Sequence, residues 1–347
     1  MGATFKRLLM PIFLLLIGGG IFIGLLAKEG IPEVIATLAA FGLAPFILYV
    51  GISLANFALY AHRWQVIVNK GQAAIAKISF FRLYLHRMSG YAFMYLLPLS
   101  FFGSEPVRVG LLHEDGVPLN RATSSVLIDL AFETMAFILF IAVGLILALV
   151  EGVTLGNAGT VVASALVLFA AVIITFYVGT VSGKGFFAPV FRFLRLHKIK
   201  RLHTTESWLK GMEGQMTEFL RDRPLLIIWL LVLSLLMISF RTFENWFIAH
   251  FLGVSLNFTQ SLLSSTIPGI VLLLPVPGGL GFLEASNTGF FALLGVSINA
   301  LALVLIIRLR DLVFMAIGLT HASSQIWRFL KDWLHKKTPV VDKNAVF

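Results

Sequence analysis

The chain has 347 residues, of which 58% are hydrophobic and only 13% charged, and it carries a net charge of +10. The charged share is roughly half that of a soluble domain, and no polar stretch is long enough for a separate one, so the whole chain reads as a single membrane domain. With no cysteine, disulfides, thiolate metal sites and cysteine nucleophiles are excluded, and in a membrane chain the excess positive charge points to topology before nucleic acid.

Lys6 and Arg7 precede an apolar run from Leu8 to Ala27, long enough to span. It lacks a small-x-small cleavage pattern and is expected to be an uncleaved anchor. A short loop with Lys28, Glu29 and Glu33 leads to a second span, about Phe41 to Tyr60. His62, Arg63, Lys70, Lys77, Arg82 and Arg87 follow, and their charge assigns that loop to the cytoplasm. From Phe81 the chain is apolar to Pro98 and then breaks at Phe102-Gly103-Ser104-Glu105-Pro106. The arm after it, with Arg108, His113, Glu114 and Asp115, is too polar to cross and should return as a re-entrant hairpin.

Ala122 to Val150 and Ala158 to Gly179 are the next spans. A basic loop, 183–223, then mixes Phe186, Phe187, Phe191 and Phe193 with Lys184, Arg192, Arg195, Lys198, Lys200 and Arg201. That is the pattern of a helix lying among anionic headgroups. Pro224 to Phe251 spans again and Asn299 to Thr320 returns, followed by a tail with Trp327, Arg328, Lys331, Trp333, Lys336 and Lys337 that reads as an interfacial helix. Between these two spans, Pro268 to Glu284 carries three further prolines and glycines enough to stop any continuous helix. The arms, about 262–274 and 282–295, are too short to span, so this is a second re-entrant hairpin, with a proline kink in a packed bundle as the alternative. The expected fold is therefore all-α and polytopic, with about six full spans, two hairpins and both termini cytoplasmic.

The two broken regions share one offset. Pro98 and Pro277, Glu105 and Glu284, Gly116 and Gly295, and Asn120 and Asn299 each lie 179 residues apart. This reads as a duplicated span, hairpin and span, repeat A about 41–150 and repeat B about 224–325. An odd number of crossings between them makes the copies inverted, an architecture of transporters that work by alternating access.

Asp129, Glu133, Arg241, Glu244, Arg308, Arg310 and Asp311 fall inside expected spans. An isolated charge costs roughly 2.5–3.5 kcal/mol at the centre of a membrane helix on insertion scales, so these should face inward and pair. Under the repeat Asp129 corresponds to Arg308, and their opposite charges predict a pair across a central cavity. Gly278 and Gly279 should allow close approach of a chain or ligand at the second hairpin. Signatures of zinc hydrolases, serine hydrolases and P-loop enzymes are missing from the sequence.

The first motif, Pro98 with Gly103-Ser104-Glu105 and Arg108, and the second, Pro275-Val276-Pro277-Gly278-Gly279-Leu280-Gly281-Phe282-Leu283-Glu284 with Arg308, resemble a known family. It is the lysylphosphatidylglycerol synthase transmembrane-region family, the flippase-type membrane domain also found in the bacterial multiple peptide resistance factor. The resemblance implies an inner-membrane protein that moves a lipid or lipid-linked headgroup between leaflets, with no cofactor. Two departures stand out: a soluble aminoacyl-transferring domain does not follow, and Ile128-Asp129-Leu130 lacks the arginine that the family tends to place there. The substrate-contact set expected is Glu105, Arg108, Asp129, Arg241, Gly278, Gly279, Glu284, Arg308 and Asp311. The expected partners are the bilayer, an anionic phospholipid or other lipid, and a second copy of the chain, with no nucleic acid. A membrane-embedded transferase with a lipid-linked substrate, for which Glu114 and Asp115 would form the acidic loop, and an accessory subunit of an envelope lipid pathway are the alternatives.

Overall fold

The computed structural model describes residues 2–70, 77–96, 103–152, 156–196, 199, 203–221 and 223–336. Among them are thirteen α-helices and no strand. Four meet both the length and the apolarity needed to cross a membrane: α3 (Leu43–Lys70), α6 (Leu119–Val150), the part Val162–Val181 of α7 (Gly156–Val181), and α10 (Pro224–Phe251). Helices α1 (Gly2–Glu29) and α13 (Ala300–Lys336) are as long or longer.

The chain departs from the expected loops at three places. Residues Ile31–Phe41 form a helix of their own, α2, between glycines with positive φ at 30 and 42. Helix α3 continues ten residues past Tyr60, which carries Arg63 into the protein instead of leaving it in a basic loop. Helix α13 runs unbroken through the segment expected to be a separate interfacial helix, whose side chains from 324 onward, like Pro98 and Lys337, lie outside what the structure describes.

Of the two apolar regions expected to break, the second does so where the prolines place it, whereas residues 97–102 of the first lie outside the described residues. The first consists of α4 (Phe80–Leu96) and α5 (Ser104–Glu114). In the second, α11 (Phe258–Thr266) opens with a reciprocal Asn257–Gln260 capping box. It gives way at Pro268 to the tighter 3₁₀ turn Ile267–Leu273, and α12 (Phe282–Leu293) follows a second such turn, Pro277–Gly279. The bounds of α3, α4, α5 and α6, shifted by 179 residues, fall within a few residues of α10, of α11 with its 3₁₀ turn, of α12, and of the start of α13. The turns before α6 and α13 also match in detail. Gly116 and Gly295 both take positive φ (86° and 65°), and the next amides, of Val117 and Val296, reach back to Leu112 O and Phe291 O at 3.1 and 3.0 Å. Each is a left-handed helix stop that a residue with a Cβ would strain.

Helix α4 lies against α13. A Cβ on Gly318 would strike the Met88 carbonyl, and Ser89 Oγ donates to Gly318 O at 2.9 Å. At the end of this seam His86, fully buried, meets His321 Nε2 at 3.0 Å and Asp115 Oδ2 at 2.9 Å, while Arg82 pairs with Asp115. Asp115, half of the acidic pair a transferase would need, is thus engaged in holding α4, the turn after α5 and α13 together. Gly318→Leu should separate the two helices, since overpacking costs about 1–3 kcal/mol even where atoms can give and here the obstacle is backbone. The check is monodispersity and thermal midpoint in detergent; an unaltered midpoint would show that the seam is loose.

The basic region folds as a shoulder of α8 (Phe187–Phe193) and α9 (His203–Arg221). Glu213 accepts from the amides of Phe186, Phe187 and Ala188, the donors a helix start leaves unpaired. Arg192 pairs with Glu206, whose carboxyl is held below the usual carboxylate range by that arginine first and then by Lys210. Reversing Arg192 would therefore first part α8 from α9, before touching any lipid. Arg195 lies in the turn after α8, with φ at 58°, whereas Lys198, Lys200 and Arg201 lie outside the described residues.

Candidate functional site

The two broken hairpins and helices α3, α6, α10 and α13 enclose a cavity of about 270 Å³. Its wall is unusually rich in ionisable and phenolic groups for the interior of a bundle of apolar helices: Arg87, Arg108, Arg241 and Arg310, with Glu105, Glu133 and Glu244, and Tyr49, Tyr60, Tyr91 and Tyr95.

The densest cluster joins α3, α4, α5 and α6. Asp129, fully buried on α6, accepts from Arg63 Nε at 2.8 Å, Arg87 Nη1 at 2.5 Å and Arg108 Nη2 at 2.6 Å. One turn along, Glu133 meets Arg87 at 2.9 Å and Arg63 at 3.3 Å, with about a third of its side chain open to the cavity. Carboxylates four apart share a helix face, and here that face receives guanidiniums from three other helices. Arg63 also donates to Ser234 Oγ at 2.8 Å, which links α3 to α10. Aromatic faces complete the cradle, with Tyr60 4.7 Å from Arg87 and Trp64 4.2 Å from Arg108. A buried cation needs both a counter-charge and hydrogen-bond acceptors to be tolerated, and this cluster supplies both.

Across the cavity, Glu244 on α10 accepts from Asn56 at 3.1 Å and lies 3.6 Å from Arg310, which is also 2.9 Å from Asp311. Asp311 in turn accepts from Tyr91 at 2.6 Å and from Tyr95, two phenols one turn apart on α4. The second hairpin is closed by Arg308. Its Nε donates to Glu284 Oε1 at 3.0 Å and its Nη1 to the Gly278 carbonyl at 2.6 Å, while Glu284 Oε2 accepts from the Gly281 amide at 2.8 Å. Gly278 takes φ 56° with Tyr95 and Arg308 pressed against its Cα, and Gly279 (φ 61°) packs on Leu272.

Of the nine residues expected from sequence, Glu105, Arg108 and Arg241 line the cavity. Asp129 stands behind Arg87 and Arg108 as their anchor, and Asp311 behind Tyr91 and Tyr95. Gly278, Gly279, Glu284 and Arg308 form the hairpin lock next to Tyr95. The expected pair of Asp129 with Arg308 is not made. Asp129 is saturated by three arginines and Arg308 is taken by Glu284. Arg63 and Arg87, read from sequence as loop charges, are buried ligands of Asp129, and Asn56 and the tyrosines were also missed. A signal existed for the arginines: two carboxylates one turn apart in an apolar span need cations from elsewhere in the chain.

A family model described as lysylphosphatidylglycerol synthase TM region matches residues 12–318. The chain belongs to this family. No curated protein and no solved structure matches it. The lysylphosphatidylglycerol synthase TM match takes in all the cavity and hairpin residues above, from α1 into α13, and it assigns the protein to membranes and to a lipid-related role.

Proposed function

We propose that the cavity receives the polar headgroup of a membrane lipid and that the protein carries it between leaflets of the cytoplasmic membrane while the acyl chains stay in the bilayer. The observation that carries this reading is a charged cavity bounded by two broken hairpins. Backbone opened at membrane depth is tolerated where it lines a polar cavity, and interrupted helices mark binding sites in transporters. The matching bounds at 179 residues support two repeats. Inverted in the membrane, they would expose the cavity alternately by rocking, with the α8–α9 shoulder and both termini on the cytoplasmic side.

The test is native mass spectrometry of the purified protein. Leu130 lines the cavity on α6, and Leu130→Trp should place a bulky, largely apolar ring in it where a headgroup would sit. Wild type should retain one lipid more than the variant at equal collision energy. Identical lipid counts for two equally well folded proteins would sink the reading.

A further inference from the structure

The same cavity also carries a statement about the charge of what it holds, resting on the reading of it as a headgroup site. Most of its ionic groups are spent on one another, but two of opposite sign are not. Arg241, on α10, makes no hydrogen bond or ion pair among the described residues. Its guanidinium lies against Phe137, 6.0 Å to the ring centroid, and beside Gly269, where a Cβ would come within 3.2 Å of Nη2. Glu105, at the start of α5, accepts from Ser104 Oγ at 2.6 Å through Oε1, and its Oε2 is buried with no partner among the described residues. A further buried donor on this wall, Arg108 Nε, also has none, although its residue is 3% exposed. Buried polar groups left unsatisfied destabilise the fold, so the wall is built for something that supplies the missing partners.

The sign of that something follows from the charge count. The six arginines and six carboxylates described above, taken as ionised, balance to zero. A net anion would leave the buried network one charge short, and a net cation one charge over, each an uncompensated charge away from water. We infer that the headgroup is zwitterionic: a phosphate seated on Arg241 and Arg108, with an ammonium a few ångströms away against Glu105 and the tyrosine faces. Arginine suits the phosphate through its planar donors. The ammonium suits a carboxylate beside aromatic rings. This narrows the expected anionic phospholipid or other lipid, and the basic residues of α8 and α9 do not line the cavity.

The experiment is competition in detergent between phosphatidylethanolamine and phosphatidylglycerol of identical acyl chains, read by native mass spectrometry on wild type, Glu105→Gln and Arg241→Gln. Glu105→Gln keeps side-chain shape and Arg241→Gln leaves a shorter neutral polar group; both are scored only at wild-type monodispersity, with Leu130→Trp defining signal from outside the cavity. Wild type should prefer the zwitterion. Glu105→Gln should shift the ratio toward phosphatidylglycerol by about tenfold, the worth of one charge-assisted hydrogen bond, and Arg241→Gln should weaken both lipids. A wild-type preference for phosphatidylglycerol, or a ratio that Glu105→Gln leaves unmoved, overturns the zwitterion while leaving the headgroup reading standing. Loss of discrimination between wild type and Leu130→Trp for either lipid overturns the headgroup reading itself. Binding of soluble phosphoethanolamine with no cavity-dependent lipid would show the chemistry to be right and the lipid source wrong, which also defeats the inference as stated.

Discussion

Asp129→Asn should cost the protein about 3–5 kcal/mol, the range for removing one partner from a buried ion cluster. The asparagine has nearly the same shape, so the loss is electrostatic. Arg63, Arg87 and Arg108, all at most 7% exposed, would keep only Glu133 as a shared counter-charge, and that residue does not reach Arg108. An amide also turns one acceptor into a donor facing guanidinium donors. The expected readout is a thermal midpoint in detergent lowered by many degrees and a fall in protein level. A midpoint near that of wild type would mean the three arginines are solvated from the cavity. Exchange of charges between positions 129 and 308 should give no rescue, since neither residue touches the other's partners.

Glu284→Gln is expected to be the next most damaging conservative change, at about 3 kcal/mol. Glu284 is fully buried and serves two ends of the second hairpin at once, accepting from the Gly281 amide at the start of α12 and neutralising Arg308. Arg308 in turn holds the Gly278 carbonyl, so the turn at 277–279 depends on the same ion pair. Removing both charges, Glu284→Gln with Arg308→Met, should restore much of the stability, because a lone buried charge is the expensive state. It should not restore lipid movement, as the turn stays unlatched. A double variant no more stable than Glu284→Gln would locate the cost in the cap instead.

How much of this was legible in the sequence depended on whether the signal was local. Pro268, Pro275 and Pro277 state where a helix must stop, and the stop is found there. Gly116 and Gly295, matched in the sequence by their offset, both take positive φ in turns of the same construction, a detail the offset alone does not give. Pairing, by contrast, is decided across helices. Asp129 and Arg308 hold corresponding places, yet the chain gives Asp129 arginines from α3, α4 and α5, and gives Arg308 the glutamate of its own hairpin. Glu105 lies 179 residues before Glu284, but the residue 179 before Arg308 is Asp129 and not an arginine, and Glu105 accepts from Ser104 with no partner at Oε2 among the described residues. Arg63 and Arg87 were lost to a rule of composition: basic residues at the end of an apolar run look like a cytoplasmic loop until the helices are seen to extend past them.

The central claim, that a headgroup passes through this cavity, is tested most directly by transbilayer movement of an acyl-chain-labelled phosphatidylethanolamine in proteoliposomes, with an impermeant reductant reporting the label exposed outside. Vesicles holding wild type should lose the inner-leaflet signal at a rate well above empty vesicles, and vesicles holding equal amounts of Leu130→Trp should match the empty ones. Equal rates for wild type and Leu130→Trp would contradict the account.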